Sequence, residues 1–127
     1  MTSEEIQALL GAQRAFFNSG ATLSVDFRIK SLRKLYDAVK AHEGDIHAAL
    51  TADLGKSAYE GFMCESGLAL TEISYMIKHV RKLARRTTVR TPLAQFASHS
   101  FTQAMPYGNT LVMSPWNYPF LLTIDPL

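Results

Sequence analysis

The feature that most constrains the fold is a long run of helical periodicity from about Ser57 to Arg86. Its apolar and small residues recur at three- and four-residue spacing, as one buried helix face requires. These residues are Phe62, Ser66, Leu70, Ile73, Ile77, Val80 and Ala84. Acidic residues come early in the run and basic residues late, which is the order that complements a helix dipole. A helix of this length would span roughly 45 Å, so we expect it to cross a body larger than a small domain.

Three shorter helices are predicted before this run. The first is capped by Thr2, and Glu5 stands three residues later, where it can close a capping box. The second opens at Ser24 and presents one apolar face, formed by Val25, Ile29, Leu32, Tyr36 and Val39. The third ends before Gly55, which stands where a left-handed C-terminal cap is expected.

The pattern changes after Arg86. Residues 87–106 contain many β-branched and aromatic side chains, which predict extended strands or an exposed hairpin. Thr110–Met113 is a short apolar run, typical of a strand that is buried on both faces of a parallel sheet. The order of elements therefore predicts an α/β fold that is mainly α-helical, with a strand excursion and one buried strand.

Composition excludes several classes of protein. Hydrophobic residues make up 47% of the chain and charged residues 19%, as in ordinary soluble proteins, and no apolar run approaches the roughly 20 residues that cross a membrane. The acidic start lacks the features of a signal peptide. The single cysteine, Cys64, excludes an internal disulfide framework and fits a reducing compartment, so we expect a cytoplasmic protein. A net charge of +2 does not indicate a nucleic-acid partner.

Two other candidate sites are poorly supported. Gly55-Lys56-Ser57 resembles the end of a phosphate-binding loop, but Leu50 stands where that motif needs its first glycine, and a helix rather than a strand precedes it. A helix C-cap explains Gly55. The four histidines are scattered without paired spacing on one helix face, so no metal site is predicted.

The most informative short motif is Ser114–Pro119, written SPWNYP. Pro115 and Pro119 fix their own φ angles and favour extended geometry in the residues before them, so the chain must turn here in a defined way. Asn117 would lie between the end of a buried strand and a helix N-terminus, the usual crevice for ligands in α/β sheets. Its amide is a neutral donor that suits a developing oxyanion. The alternative is a rigid turn in which Trp116 anchors the core, and the spacing leaves both open.

Several segments of the chain resemble the aldehyde dehydrogenase family, most closely its class 3 branch. They are Arg33–Tyr36, Ala52–Lys56, Glu72–Val80, Thr91–Leu93 and Pro106–Leu127, of which the last is the most specific. The resemblance covers almost the whole chain and implies the N-terminal part of a Rossmann-like cofactor-binding domain, with an incomplete fold. Residues 1–86 would be its helical part and 87–106 an extended or hairpin segment of the oligomerisation type. Residues 107–127 would hold the first buried strand, the PWN turn and the start of the next helix.

The resemblance also implies an activity, the NAD- or NADP-dependent oxidation of small-molecule aldehydes to carboxylic acids by a homo-oligomer, a dimer in the parent enzyme. In the family a cysteine thiolate attacks the aldehyde to form a thiohemiacetal, and hydride passes to the nicotinamide. A water activated by a glutamate then hydrolyses the thioester. The asparagine of the PWN motif donates its amide to the oxyanion, and this role falls on Asn117.

Further site residues follow from the same resemblance. Met113, Ser114 and Trp116 would contribute to the cofactor crevice, and Tyr118 and Leu122 would line the aldehyde tunnel. The family's catalytic cysteine, general-base glutamate and glycine-rich turn lie further along and have no counterpart in this chain, and Cys64 does not match the nucleophile's position. We therefore expect an N-terminal segment that is inactive alone, an expectation that the apolar run ending at Leu127 supports. The alternative is a noncatalytic helical interaction module.

Overall fold

The structure is a computed structural model that describes residues 1–127 and consists mainly of helices. The helices are α1 (Ser3–Asn18), α2 (Val25–Ala41), α3 (Glu43–Leu54), α4 (Ala58–Gly61), α5 (Gly67–Leu83) and α6 (Leu121–Ile124), with 3-10 turns at Ala21–Leu23 and Leu93–Gln95 and a π-helical segment at Phe62–Ser66. Two strands, β1 (Thr87–Val89) and β2 (Ser100–Thr102), pair antiparallel in one hairpin. The prediction of a mainly helical fold with a strand excursion is confirmed.

The predicted helix ends are confirmed in detail. The Glu5 amide donates to Thr2 Oγ1 at 3.3 Å, and the Thr2 amide donates to Glu5 Oε2 at 2.8 Å, which completes the capping box. Ser24 caps α2 by accepting a hydrogen bond from the Phe27 amide. Gly55 ends α3 with a φ of 68°, the left-handed conformation that glycine adopts without steric strain.

The core lies where α2 packs along α5 and where α3 and α4 meet. Its buried hydrophobic residues are Val39, Leu50, Ala69, Ile73 and Val80. On α2 the predicted apolar face is correct, since Val39 is buried and the other four residues of that face are half-buried. No helix is both long enough and apolar enough to span a membrane.

The predicted long helix runs without a break from Ala58 to Leu83, but Phe62–Ser66 within it are π-helical rather than α-helical. Here the Gly67 amide donates to the carbonyl of Phe62, five residues earlier. A Cβ on Gly67 would lie 2.7 Å from that carbonyl oxygen, so this close approach of the backbone requires glycine.

The π-helical segment makes part of the predicted helix face wrong. Ile73 and Val80 are buried as expected, but Phe62 is 43% exposed and Glu65 is fully buried. The extra residue in the π turn rotates the preceding side chains around the axis, so Gly61 and Glu65 take the inward positions.

The predicted buried strand at Thr110–Met113 requires correction. The segment has no strand hydrogen bonds, and Leu111 and Met113 are 82% and 84% exposed. The physical reason is that a strand needs a neighbour for its backbone groups, and β1 and β2 pair only with each other. The preceding turn instead lies against α1, where Asn109 Nδ2 donates to the Leu10 carbonyl at 3.1 Å.

Candidate functional site

Ser114–Pro119 forms the turn that leads into α6. The Leu122 amide donates to the Tyr118 carbonyl at 3.1 Å, so helical hydrogen bonding begins inside the motif. α6 itself begins at Leu121, two residues after Pro119. Thr123 Oγ1 donates to the Pro119 carbonyl and lies 2.8 Å from Ser114 Oγ, which holds the turn against the helix.

The side chain of Asn117 is unbonded, whereas its main chain is held by a hydrogen bond. Its side chain is exposed and makes no hydrogen bond within the chain, whereas its carbonyl accepts a hydrogen bond from Lys56 Nζ at 2.8 Å. Trp116 beside it is 84% exposed, so the alternative in which this tryptophan anchors the core is wrong. The arrangement leaves the Asn117 amide able to donate to a group outside the chain.

The other predicted site residues surround the same turn. Met113 is 84% exposed and Ser114 is half-buried, so the residues predicted for the cofactor offer apolar surface and one hydroxyl. Tyr118 is 39% exposed, and Lys56 Nζ lies 4.3 Å from the centroid of its ring. Leu122 is half-buried in α6.

A buried ion pair beneath the turn was not identified from the sequence. Lys56 Nζ lies 2.5 Å from Glu65 Oε1, and the two side chains are 8% and 0% exposed. The other oxygen, Glu65 Oε2, accepts hydrogen bonds from the amides of Phe120 at 3.1 Å and Leu121 at 2.9 Å. The only available signal was that Glu65 precedes the apolar residues Ala69 and Ile73 at four-residue spacing.

A separate groove of about 620 Å³ lies between α2, α5 and the C-terminal residues. It is lined by residues such as Leu32, Met76 and Ile124 and contains none of the predicted site residues. Asp125 lies at this groove, where burial raises the pKa of its carboxyl and the negative charge of Glu72 raises it further. The groove and the Asn117 turn are therefore distinct features.

Comparison with known proteins gives consistent matches. The model of the aldehyde dehydrogenase family matches residues 1–127. The chain is 40% identical over 114 residues to 4,4'-diaponeurosporen-aldehyde dehydrogenase of Staphylococcus aureus, covering 90% of this chain and 25% of the relative. It is 39% identical over 124 residues to the dimeric NADP-preferring aldehyde dehydrogenase of Canis lupus familiaris, covering 97% of this chain and 27% of the relative.

A solved structure shows the same fold. The substrate-bound state of Staphylococcus aureus AldH superimposes with a TM-score of 0.90 at 36% identity, over 99% of this chain and 27% of that chain. The predicted N-terminal part of a Rossmann-like aldehyde dehydrogenase fold is thereby confirmed, and relatives of family 3 support the class 3 resemblance. The chain spans about a quarter of the length of these relatives. These 127 residues belong to the aldehyde dehydrogenase family.

Proposed function

We propose that this chain is the N-terminal segment of an NAD- or NADP-dependent aldehyde dehydrogenase and that Asn117 is its oxyanion donor. The observation that carries the proposal is the exposed, unbonded amide of Asn117 on a main chain held by Lys56. Membership of the family supports aldehyde oxidation as the reaction of the complete enzyme. The chain alone, which has no counterpart of the family's nucleophile, is inactive under this proposal.

In aldehyde oxidation, Asn117 would stabilise the oxyanion that forms on the carbonyl oxygen. Oxidation of an aldehyde to a carboxylic acid removes two electrons as hydride and adds an oxygen atom from water. When a nucleophile adds to the carbonyl carbon, negative charge develops on the carbonyl oxygen. The Asn117 amide donates a hydrogen bond to that oxygen, and because the amide is neutral it stays protonated throughout.

The residues beside Asn117 fit a nicotinamide cofactor. Met113 and Trp116 expose apolar surface that a planar ring could pack against, and the half-buried Ser114 adds a hydroxyl to the same turn. When bound, the cofactor would accept the hydride. The name of the dog relative, which prefers NADP, supports this class of cofactor. Tyr118 and Leu122 would line the path of the aldehyde.

The complete enzyme would be a homodimer whose subunits meet through the β-hairpin. The exposed hairpin of β1 and β2 would serve contact between subunits, with residues 1–86 as the helical part of the cofactor domain. The dog relative is named as dimeric, which supports a homodimer as the assembly of the complete enzyme. The single cysteine supports a reducing, cytoplasmic location.

The test of the oxyanion role uses the complete polypeptide that carries residues 1–127. Replacing Asn117 by alanine should lower kcat about 10²- to 10³-fold, because one oxyanion donor is lost. The dissociation constant of the cofactor should stay unchanged. Asn18→Ala is a matched control, since Asn18 is exposed at the end of α1 and its side chain makes no hydrogen bond. A normal kcat for Asn117→Ala would contradict the proposed role.

A second measurement tests the inactivity of the segment. The purified 127-residue chain is mixed with NAD or NADP and a simple aldehyde, and absorbance of the reduced nicotinamide is followed at saturating concentrations. We expect no reduction above the rate without protein. Reduction that depends on the chain would show that these residues contain a complete catalytic apparatus.

A further inference from the structure

The ion pair of Lys56 and Glu65 contacts the Asn117 turn on both sides. Lys56 Nζ donates to the carbonyl of Asn117 at 2.8 Å. Glu65 Oε2 accepts from the Phe120 and Leu121 amides, three and four residues later. The two side chains thus bind the main chain before and after the second proline of the motif, and they do so through charged groups, whose hydrogen bonds are about twice as strong as neutral ones.

Both members of the pair are themselves held in place. Gly55 turns the chain at the end of α3, and Thr51 Oγ1 donates to the Lys56 carbonyl at 2.7 Å. Glu65 lies in the π-helical segment, where π turns often mark functional sites. The neighbouring Ser66 is also fully buried, and its Oγ lies 2.9 Å from His47 Nε2.

Burying the Glu65 carboxylate costs free energy, which its contacts must offset. A carboxylate with no exposed surface loses its hydration, and its attraction to one lysine often does no more than offset that loss. The polar atoms of Lys56 and Glu65 are all hydrogen-bonded, since no buried side-chain nitrogen or oxygen in the chain lacks a partner. The partners are the lysine and the backbone of one turn, and that turn carries the free amide of Asn117.

We infer that Lys56 and Glu65 are positioning residues that aim the Asn117 amide, an inference that rests on the proposed function of Asn117. Neither side chain needs to touch the substrate. Together they fix the main chain from which the Asn117 side chain projects. A displacement of about 1 Å in a group that contacts the reacting atoms can reduce a rate about 10²-fold.

The experiment is a double-mutant cycle in the complete polypeptide that carries residues 1–127. Glu65→Gln keeps the size of the side chain but leaves one carbonyl oxygen to serve both the lysine and the two amides. We expect kcat to fall at least about tenfold, with the dissociation constant of the cofactor within about twofold of the parent value. In an Asn117→Ala background the same change should alter kcat less than about twofold, because no amide remains to be aimed.

A control variant is measured beside the double-mutant cycle, and the kcat values of the cycle decide whether the positioning role holds. Glu60→Gln makes the same charge change at an exposed position five residues earlier and should leave kcat unchanged. The inference is overturned if Glu65→Gln leaves kcat unchanged, or if it lowers kcat by the same factor with and without Asn117. If Asn117→Ala alone has a normal kcat, the proposed function fails and the positioning role falls with it. Should Glu65→Gln not accumulate as folded enzyme, Lys56→Met goes through the same cycle with the same criteria.

Discussion

Replacing Glu65 by alanine should lower the free energy of unfolding of the 127-residue chain by about 3–5 kcal/mol, the usual effect of removing one partner of a buried ion pair. The substitution deletes three contacts at once. It leaves Lys56 with 8% of its side chain exposed and no counter-charge, and it leaves the Phe120 and Leu121 amides without their acceptor. A fully buried donor without a partner typically costs about 1–3 kcal/mol, and each of these half-buried amides adds less than that.

The size of this effect is large for such a chain. Native proteins have unfolding free energies of about 5–15 kcal/mol in total, and only five hydrophobic residues are buried in this one. Replacing both partners by methionine should be less damaging than Glu65→Ala, because no charge is then left buried. The two backbone amides would still lack an acceptor, so part of the loss should remain.

The assay is urea unfolding followed by far-ultraviolet circular dichroism, with the m value checked for each variant. Glu60→Ala is the control, because Glu60 is exposed and its side chain makes no hydrogen bond, so its effect should stay within about 0.5 kcal/mol. If Glu65→Ala loses less than about 1 kcal/mol, or no more than Glu60→Ala, the pair does not hold the turn as the geometry implies.

Two further predictions concern backbone and pH. Gly67→Ala should destabilise the chain by about 1–3 kcal/mol, because its Cβ would meet the Phe62 carbonyl oxygen at 2.7 Å, whereas Gly11→Ala, where a Cβ has open space, should stabilise α1 slightly. Equal melting temperatures for these two variants would refute the steric argument. Asp125→Asn should raise the melting temperature at pH 7, since a raised carboxyl pKa means that ionisation disfavours the fold. This gain should shrink as the pH falls towards 3.8, and a gain that is the same at all pH values would show that ionisation of Asp125 is not its cause.

Much of the helical framework follows from short-range signals. The Thr2 capping box, the Ser24 cap and the Gly55 turn depend on residues within four positions of one another, so the sequence predicts them directly. The apolar face of α2 is equally predictable from its spacing. The strand at Thr110–Met113 was not, because strand formation depends on a neighbour that no local pattern specifies.

In the candidate site, too, the sequence predicts one part and the tertiary structure determines the other. The motif SPWNYP by itself indicated a rigid turn that presents Asn117, because two prolines restrict the backbone whatever surrounds them. What holds that turn was decided by tertiary structure. The π-helical segment turns Glu65 inward, and Lys56 and Glu65 then meet main-chain atoms 61 and 55 positions further along the chain. Contacts over such separations arise only when the helices have packed.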